Sequence, residues 1–136
     1  AEHLPEGATG NVVNLLDQRV WRTVPTFFSY SISKSALWTA TRMLAQTLAP
    51  RVRVNGIGPG PVLKSEHQRE EDFAAQAAAT LLGRPTTPEE IAAAVRYILS
   101  APSMTGQMIA LDGGQHLAWR TPDMLAETSG ADGGPA

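Results

Sequence analysis

Cysteine is absent from these 136 residues. That excludes a disulfide scaffold, a cysteine nucleophile and the common thiolate zinc sites. At this length the chain amounts to about one domain, on a prior of ~150 residues each, and it can bury a core without covalent staples. Charge of one sign is not in excess either: 11 Lys and Arg face 13 Asp and Glu, for a net charge of −2. That argues against an electrostatic nucleic-acid footprint. No uninterrupted apolar run approaches the ~18 residues of a membrane span, and the amino terminus shows no signal-peptide pattern. The expectation is a cytoplasmic, mixed-structure domain whose partner is a small molecule rather than nucleic acid or a membrane.

What is present alternates between short apolar runs and helical periodicity. Residues 1–9 are polar and hold Pro5 and Gly7, a connection. Gly10 to Leu16 is short and mostly apolar, which suits a buried strand of a parallel sheet. Gln18 to Phe28 reads as a loop. From Ser29 to Ala49 the apolar positions Ile32, Ala36, Leu37, Ala40, Met43, Leu44 and Leu48 recur at helical spacing, and Pro50 ends the pattern. Val52 to Ile57 is a second strand, followed by a rigid turn at Gly58-Pro59-Gly60-Pro61. Glu66 to Leu82 reads as a helix with a charged start. Thr87-Pro88-Glu89-Glu90 opens another, because Thr87 can cap, Pro88 fits the first helical position and Glu90 can close a capping box. Met108 to Leu111 is a third strand, and beyond Trp119 the composition is that of a flexible tail, 120–136. This order implies right-handed crossovers and a parallel sheet with helices on its faces. Three strands leave long exposed edges, so this is read as part of a larger sheet.

Tyr30 and Lys34 stand four apart at a helix start, one turn from each other on the same face. A phenol near pKa ~10 exchanges protons poorly at neutral pH, and a nearby ammonium favours the phenolate and makes the tyrosine a usable acid or base. Asp17 follows the first strand, at the edge where parallel α/β sheets place their ligands. By itself a Tyr-Lys pair at this spacing is far more often a solvated helix start, and Asp17 alone reads as a loop cap acting through its own backbone. Trp21, Phe27 and Phe28, between Asp17 and Tyr30, either line a pocket or pack. Gln18 and Arg22 are weaker candidates for polar substrate contacts. His3, His67 and His116 show no ligand spacing, and no metal is expected.

Four runs in fixed order add to this. They are Gly10 to Asn14 before the aspartate, Tyr30 to Leu37, Arg53 to Pro61, and Thr105-Gly106-Gln107 through Leu111-Asp112-Gly113-Gly114. Together they resemble the short-chain dehydrogenase/reductase family over about Gly10 to Trp119, and specifically its carboxy-terminal half. Gly83-Arg84-Pro85 and Pro88 to Ile91 match the family's run into its late helix. The resemblance implies the carboxy-terminal part of a doubly wound, Rossmann-like α/β sheet with helices on both faces, residues 1–119 being one portion of a single reductase domain. It makes Tyr30 the catalytic proton donor or acceptor, with Lys34 on the nicotinamide ribose and lowering the phenol's pKa. It places Leu15, through its backbone, and Pro59, Gly60, Pro61 and Val62 along the cofactor. Where the family usually has Thr, this chain has Lys64. It also implies a homo-oligomer, commonly a tetramer, packed through the helix after Ser29.

Asp17 is the informative departure, since the family commonly has Ser thirteen residues before the tyrosine. A carboxylate there opposes a developing alkoxide but suits a substrate with a ring nitrogen to protonate. The Asp-Tyr-Lys set resembles the pteridine reductase branch, with NADPH the implied cofactor and NADH left open. A carbonyl or alcohol oxidoreductase with Asp in place of Ser, and a non-catalytic fragment, are the rival readings. The family's glycine-rich phosphate loop has no counterpart here: the cluster Gly56, Gly58, Gly60 carries Pro59 and Pro61 and cannot open a helix. The expectation is therefore that an amino-terminal dinucleotide-binding half belongs to the working enzyme, and that this chain alone is inactive.

Overall fold

The computed structural model describes residues 3–124. In chain order these form β1 (Gly10–Leu15), α1 (Phe28–Leu48), β2 (Val52–Pro59), α2 (Glu70–Ala78), α3 (Pro88–Ser100) and β3 (Met108–Leu111), with single 3-10 turns at Gln18–Val20 and Gln115–Leu117. The sheet runs β1-β2-β3 and both pairings are parallel. Val12 stands beside Val54 and Leu15 beside Ile57, while Gly56 stands beside Met108. Most of the tail expected over 120–136 lies outside the described residues.

The alternation of β2 decides how the layers form. Val52 and Val54 point to one face and pack with Ala45 of α1, with Leu4 and Leu48 against them. Arg53 and Asn55 point to the other, because successive strand residues face opposite sides. There the Arg53 guanidinium donates to the carbonyls of Ile98, Leu99 and Met104, at 3.0, 3.0 and 2.9 Å. It thereby satisfies orphan acceptors at the end of α3. The fully buried Asn55 acts as a stand-in for backbone: its amide donates to Met104 O at 2.8 Å and its carbonyl accepts from Gln107 N at 3.1 Å. Helices thus lie on both faces of a parallel sheet, as the sequence implied.

The α3 start is also as read. Thr87 Oγ1 accepts from Glu90 N while the Glu90 carboxylate accepts from Thr87 N, with Pro88 in the first turn. Three expectations are corrected. The first strand, expected to be buried, stands at an edge of the sheet among the described residues, and Asn11, Val12 and Leu15 are exposed there. The turn expected from Gly58 begins later, since Gly58 and Pro59 still belong to β2. The helix expected over Glu66 to Leu82 is only Glu70–Ala78. At its front, Gln68 N bonds to Ser65 O in a turn. At its end, Thr80 Oγ1 takes Ala77 O at 2.9 Å and Gly83 sits at a φ of 67°. No helix of the described residues is long and apolar enough to cross a membrane.

Candidate active site

Asp17 begins where β1 ends. Its backbone is extended, and its Oδ1 accepts from Arg19 N at 2.8 Å, capping the 3-10 turn that follows. The other oxygen, Oδ2, accepts the phenol proton of Tyr30 at 2.7 Å. The loop cap and the bond to Tyr30 therefore coexist, one on each carboxylate oxygen.

Tyr30 lies in the first turn of α1. That helix starts from Phe27, held in the left-handed region at a φ of 57° with no side-chain cap. For a bulky L residue this conformation costs about 1–2 kcal/mol. The Arg19 guanidinium lies 5.1 Å from the Phe27 ring centre, which adds a favourable cation–π contact at the same point. One turn on, Lys34 Nζ donates to Leu15 O at 2.8 Å and sits 5.7 Å from the Tyr30 ring centre. The carboxyl end of β1 and the amino end of α1 are thus tied by two bonds, one through Asp17 and one through Lys34.

The electrostatics run against the sequence expectation. Instead of being lowered by Lys34, the Tyr30 phenol is pushed up to about 12, by burial first and then by the bond to, and the charge of, Asp17; Arg19 pulls it back only in part. The hydroxyl donates to a carboxylate, and ionising it would remove that donor and place two negative charges together.

The segment after β2 reaches the same end of the sheet. Gly60 N donates to Leu111 O at 3.0 Å, and Pro61 O accepts from Thr86 N at 2.9 Å. A Cβ on Gly60 would lie 2.8 Å from Asp112 Cα, so only glycine passes here. A Cβ on Gly58 would lie 3.5 Å from the Asp17 carbonyl carbon, which sets β2 directly beside the site. Val62 is half-buried, whereas Lys64 is exposed and donates to Gln68 O at 3.2 Å. A cleft of about 640 Å³ opens beside Arg19 and Phe27, faced by Ser65, Gln68, Gln76 and Gln115. That is within the usual size of small-molecule sites.

The remaining candidates separate. Gln18 is buried, and its Oε1 has no hydrogen-bond partner among the described residues. Arg22 donates to Gln115 O at 3.3 Å. Trp21 is half-exposed, with its ring edge-to-face against His116 at 5.2 Å between centres. Phe27 and Phe28 are exposed. The sequence reading passed over His116, whose Nδ1 bonds to the buried Asp112 at 2.6 Å. The signal available was the four-residue spacing of Asp112 and His116 after β3.

The family model described as enoyl-(acyl carrier protein) reductase matches residues 1–116. The chain is 34% identical to dihydromonapterin reductase of Escherichia coli (strain 536) over 110 residues, 81% of this chain and 46% of that protein. Among solved structures it resembles FolM alternative dihydrofolate reductase 1 from Brucella suis, in complex with NADP, at 60% identity and a TM-score of 0.87, over 90% of this chain and 50% of that one. A short chain dehydrogenase from Bacillus anthracis matches at 31% identity and a TM-score of 0.74, over 83% of this chain and 47% of that one. The chain spans about half the length of these relatives.

Proposed function

The chain belongs to the short-chain dehydrogenase/reductase family, and from that premise we propose that it is the carboxy-terminal portion, residues 1–119, of an NADPH-dependent reductase that acts on a pterin or dihydropterin. The observation that carries this is the Tyr30 hydroxyl bonded to a carboxylate, Asp17, at 2.7 Å. In a carbonyl reductase the tyrosine's partner must tolerate an alkoxide, and a carboxylate repels one. A ring nitrogen that gains a proton becomes cationic, and the same carboxylate then stabilises it. The names of the relatives, a dihydromonapterin reductase and an alternative dihydrofolate reductase with NADP, support the same substrate class and cofactor.

When bound, reduced nicotinamide supplies hydride to the ring carbon, and the residues of this chain manage the proton. Tyr30, whose phenol is pushed up to about 12, keeps its proton at neutral pH in its bond to Asp17, and a water held by the Asp17 carboxylate gives the ring nitrogen its proton, its hydroxide passing to bulk solvent. Lys34 and the Leu15 backbone would hold the ribose side of the cofactor, and Pro59, Gly60, Pro61 and Val62 its nicotinamide. The residues fit such a group in kind: the cationic Lys34 stands beside the Leu15 carbonyl at the carboxyl end of β1. The cleft bounded by Arg19, Phe27 and Gln68 takes the substrate. On α1, Ile32, Met43 and Leu44 are left exposed, an apolar face that we read as the contact between copies of a homo-oligomer.

Steady-state kinetics of the full-length enzyme on a dihydropterin and on a simple ketone test the reading. Turnover of the dihydropterin with NADPH at least tenfold more efficient than that of the ketone is expected. Efficient ketone turnover with none of the dihydropterin overturns it.

A further inference from the structure

Asp112 leaves the end of β3 and is almost wholly buried. A buried carboxylate needs hydrogen-bond donors to offset its lost water. The turn after it supplies two from backbone, Gly114 N at 3.0 Å and His116 N at 2.8 Å. Gly113 and Gly114, at φ values of 60° and 79°, bend the chain tightly enough for both to point at one side chain. Those two bonds already cap the turn. The third, His116 Nδ1 at 2.6 Å, adds nothing to the backbone; it fixes a ring.

The fixed ring meets Trp21 edge-to-face, at an interplanar angle of 68°. The neighbouring residue, Gln115, accepts the Arg22 guanidinium on its carbonyl at 3.3 Å. Both contacts therefore land on the loop that joins Asp17 to α1. Neither end of that loop depends on them, because Asp17 is bonded to Tyr30 and Lys34 to the Leu15 carbonyl. The loop also carries Arg19 and Phe27, which with Gln115 line the cleft proposed above to take the substrate.

We propose that Asp112 and His116 are a positioning pair: the carboxylate orients the imidazole, the imidazole holds Trp21, and the loop is thereby set so that Arg19 and Phe27 face the cleft. The pair acts on substrate affinity and leaves the proton donors in place. The kinetic part of this rests on the dihydropterin reading; the structural part does not.

The test uses the full-length enzyme and the variants Trp21→Ala, His116→Ala, their double mutant, and the near-isosteric Asp112→Asn. Cofactor affinity and thermal midpoint serve as folding checks. Each variant raises KM for the dihydropterin about tenfold with kcat held within about twofold, and the double mutant is no worse than the weaker single, since both remove the same contact. KM effects that multiply, or a fall in kcat with KM unchanged, overturn the proposal. The second readout needs no substrate. The indole N–H signal of Trp21, assigned by its loss in Trp21→Ala, shifts in His116→Ala and in Asp112→Asn, while those of Trp38 and Trp119 do not. An unmoved Trp21 signal overturns the proposal whatever the substrate proves to be. Absence of any dihydropterin turnover in the wild type sinks the substrate reading alone and leaves this readout to decide the pair.

Discussion

The Tyr30 hydroxyl and the Asp17 carboxylate, thirteen residues apart, meet at 2.7 Å with the phenol donating. Removing the charge while keeping the shape isolates what the carboxylate contributes. Asp17→Asn is expected to lower dihydropterin turnover by about 10²–10⁴-fold, the usual cost of losing a positioned proton donor system. NADPH affinity should stay within about twofold, since the proposed cofactor contacts lie on Lys34, Leu15 and the Pro59 to Val62 segment. Asp17→Ser should lose dihydropterin turnover while gaining activity on ketones, because a hydroxyl can donate to an alkoxide. Unchanged turnover in Asp17→Asn would reduce Asp17 to the cap it makes on Arg19 N.

The same bond is readable in the ultraviolet. The phenol is pushed up to about 12 from an ordinary value of 10.0. A raised pKa means that the folded state holds the proton more tightly. Its stabilising contribution is complete below pH ~10 and is lost as pH rises through about 12. The phenolate absorbance difference between wild type and Tyr30→Phe should show the late titration, and in Asp17→Asn it should move to lower pH. A Tyr30 that ionises at its ordinary value in the wild type would mean that the bond does not persist in solution.

Gly60 has no room for a methyl group, with Asp112 Cα at 2.8 Å and Asp112 O at 3.0 Å from where a Cβ would stand. Those neighbours are backbone and cannot rotate aside. Gly60→Ala is expected to destabilise the fold by about 1–3 kcal/mol, in the range of overpacked sites. Urea unfolding measures it, and an unchanged midpoint would contradict the close approach.

The start of α3 offers a milder test. Thr87→Ala removes the cap on Glu90 N and should cost about 1 kcal/mol in thermal or urea unfolding. Glu90 is held down to about 2 by Arg84 and by the Thr87 backbone. Its contribution is therefore present above pH ~4.5 and fades as pH falls toward 2, the direction for a depressed carboxylate. Glu90→Gln should flatten the acid limb of the stability profile over that interval, and an identical limb in both proteins would show the contact to be without consequence.

Local chemistry was legible where it is written in adjacent residues. Thr87-Pro88-Glu89-Glu90 carries all parts of its capping box within four positions, and the Val-Arg-Val-Asn alternation of β2 gives its two faces directly. The length of α2 was not legible, because alanine-rich sequence favours helix throughout 66–82. What ends the helix is a hydroxyl of Thr80 turned back on Ala77 O, followed by Gly83. The edge position of β1 could not be read from an apolar run, which is compatible with either a central or an outer strand. The structure brings together Asp17, Tyr30 and Lys34, the residues that type, spacing and the family resemblance singled out, but the direction of the phenol's pKa was not legible. It depends first on how far the fold buries the hydroxyl and then on the bond to Asp17, and neither is written in the spacing. The pairing of His116 with Asp112 was not legible because Asp112 reads as part of a turn signature.

Asn55 and Arg53 have a consequence for how the sheet is assembled. Sliding β2 by a single residue would carry both side chains through to the side occupied by Ala45 and Leu48, where apolar atoms wait. The amide would lose Met104 O and Gln107 N, the guanidinium would lose three carbonyls, and valines would arrive where those polar groups need partners. Each stranded polar group costs about 1–3 kcal/mol, so a slipped arrangement forfeits several such penalties together rather than one. A strand made only of Val and Ile would have no comparable objection to sliding. The two polar residues at the centre of the sheet thus act as a ratchet, permitting a single alignment of the strand that carries the site's glycines into place.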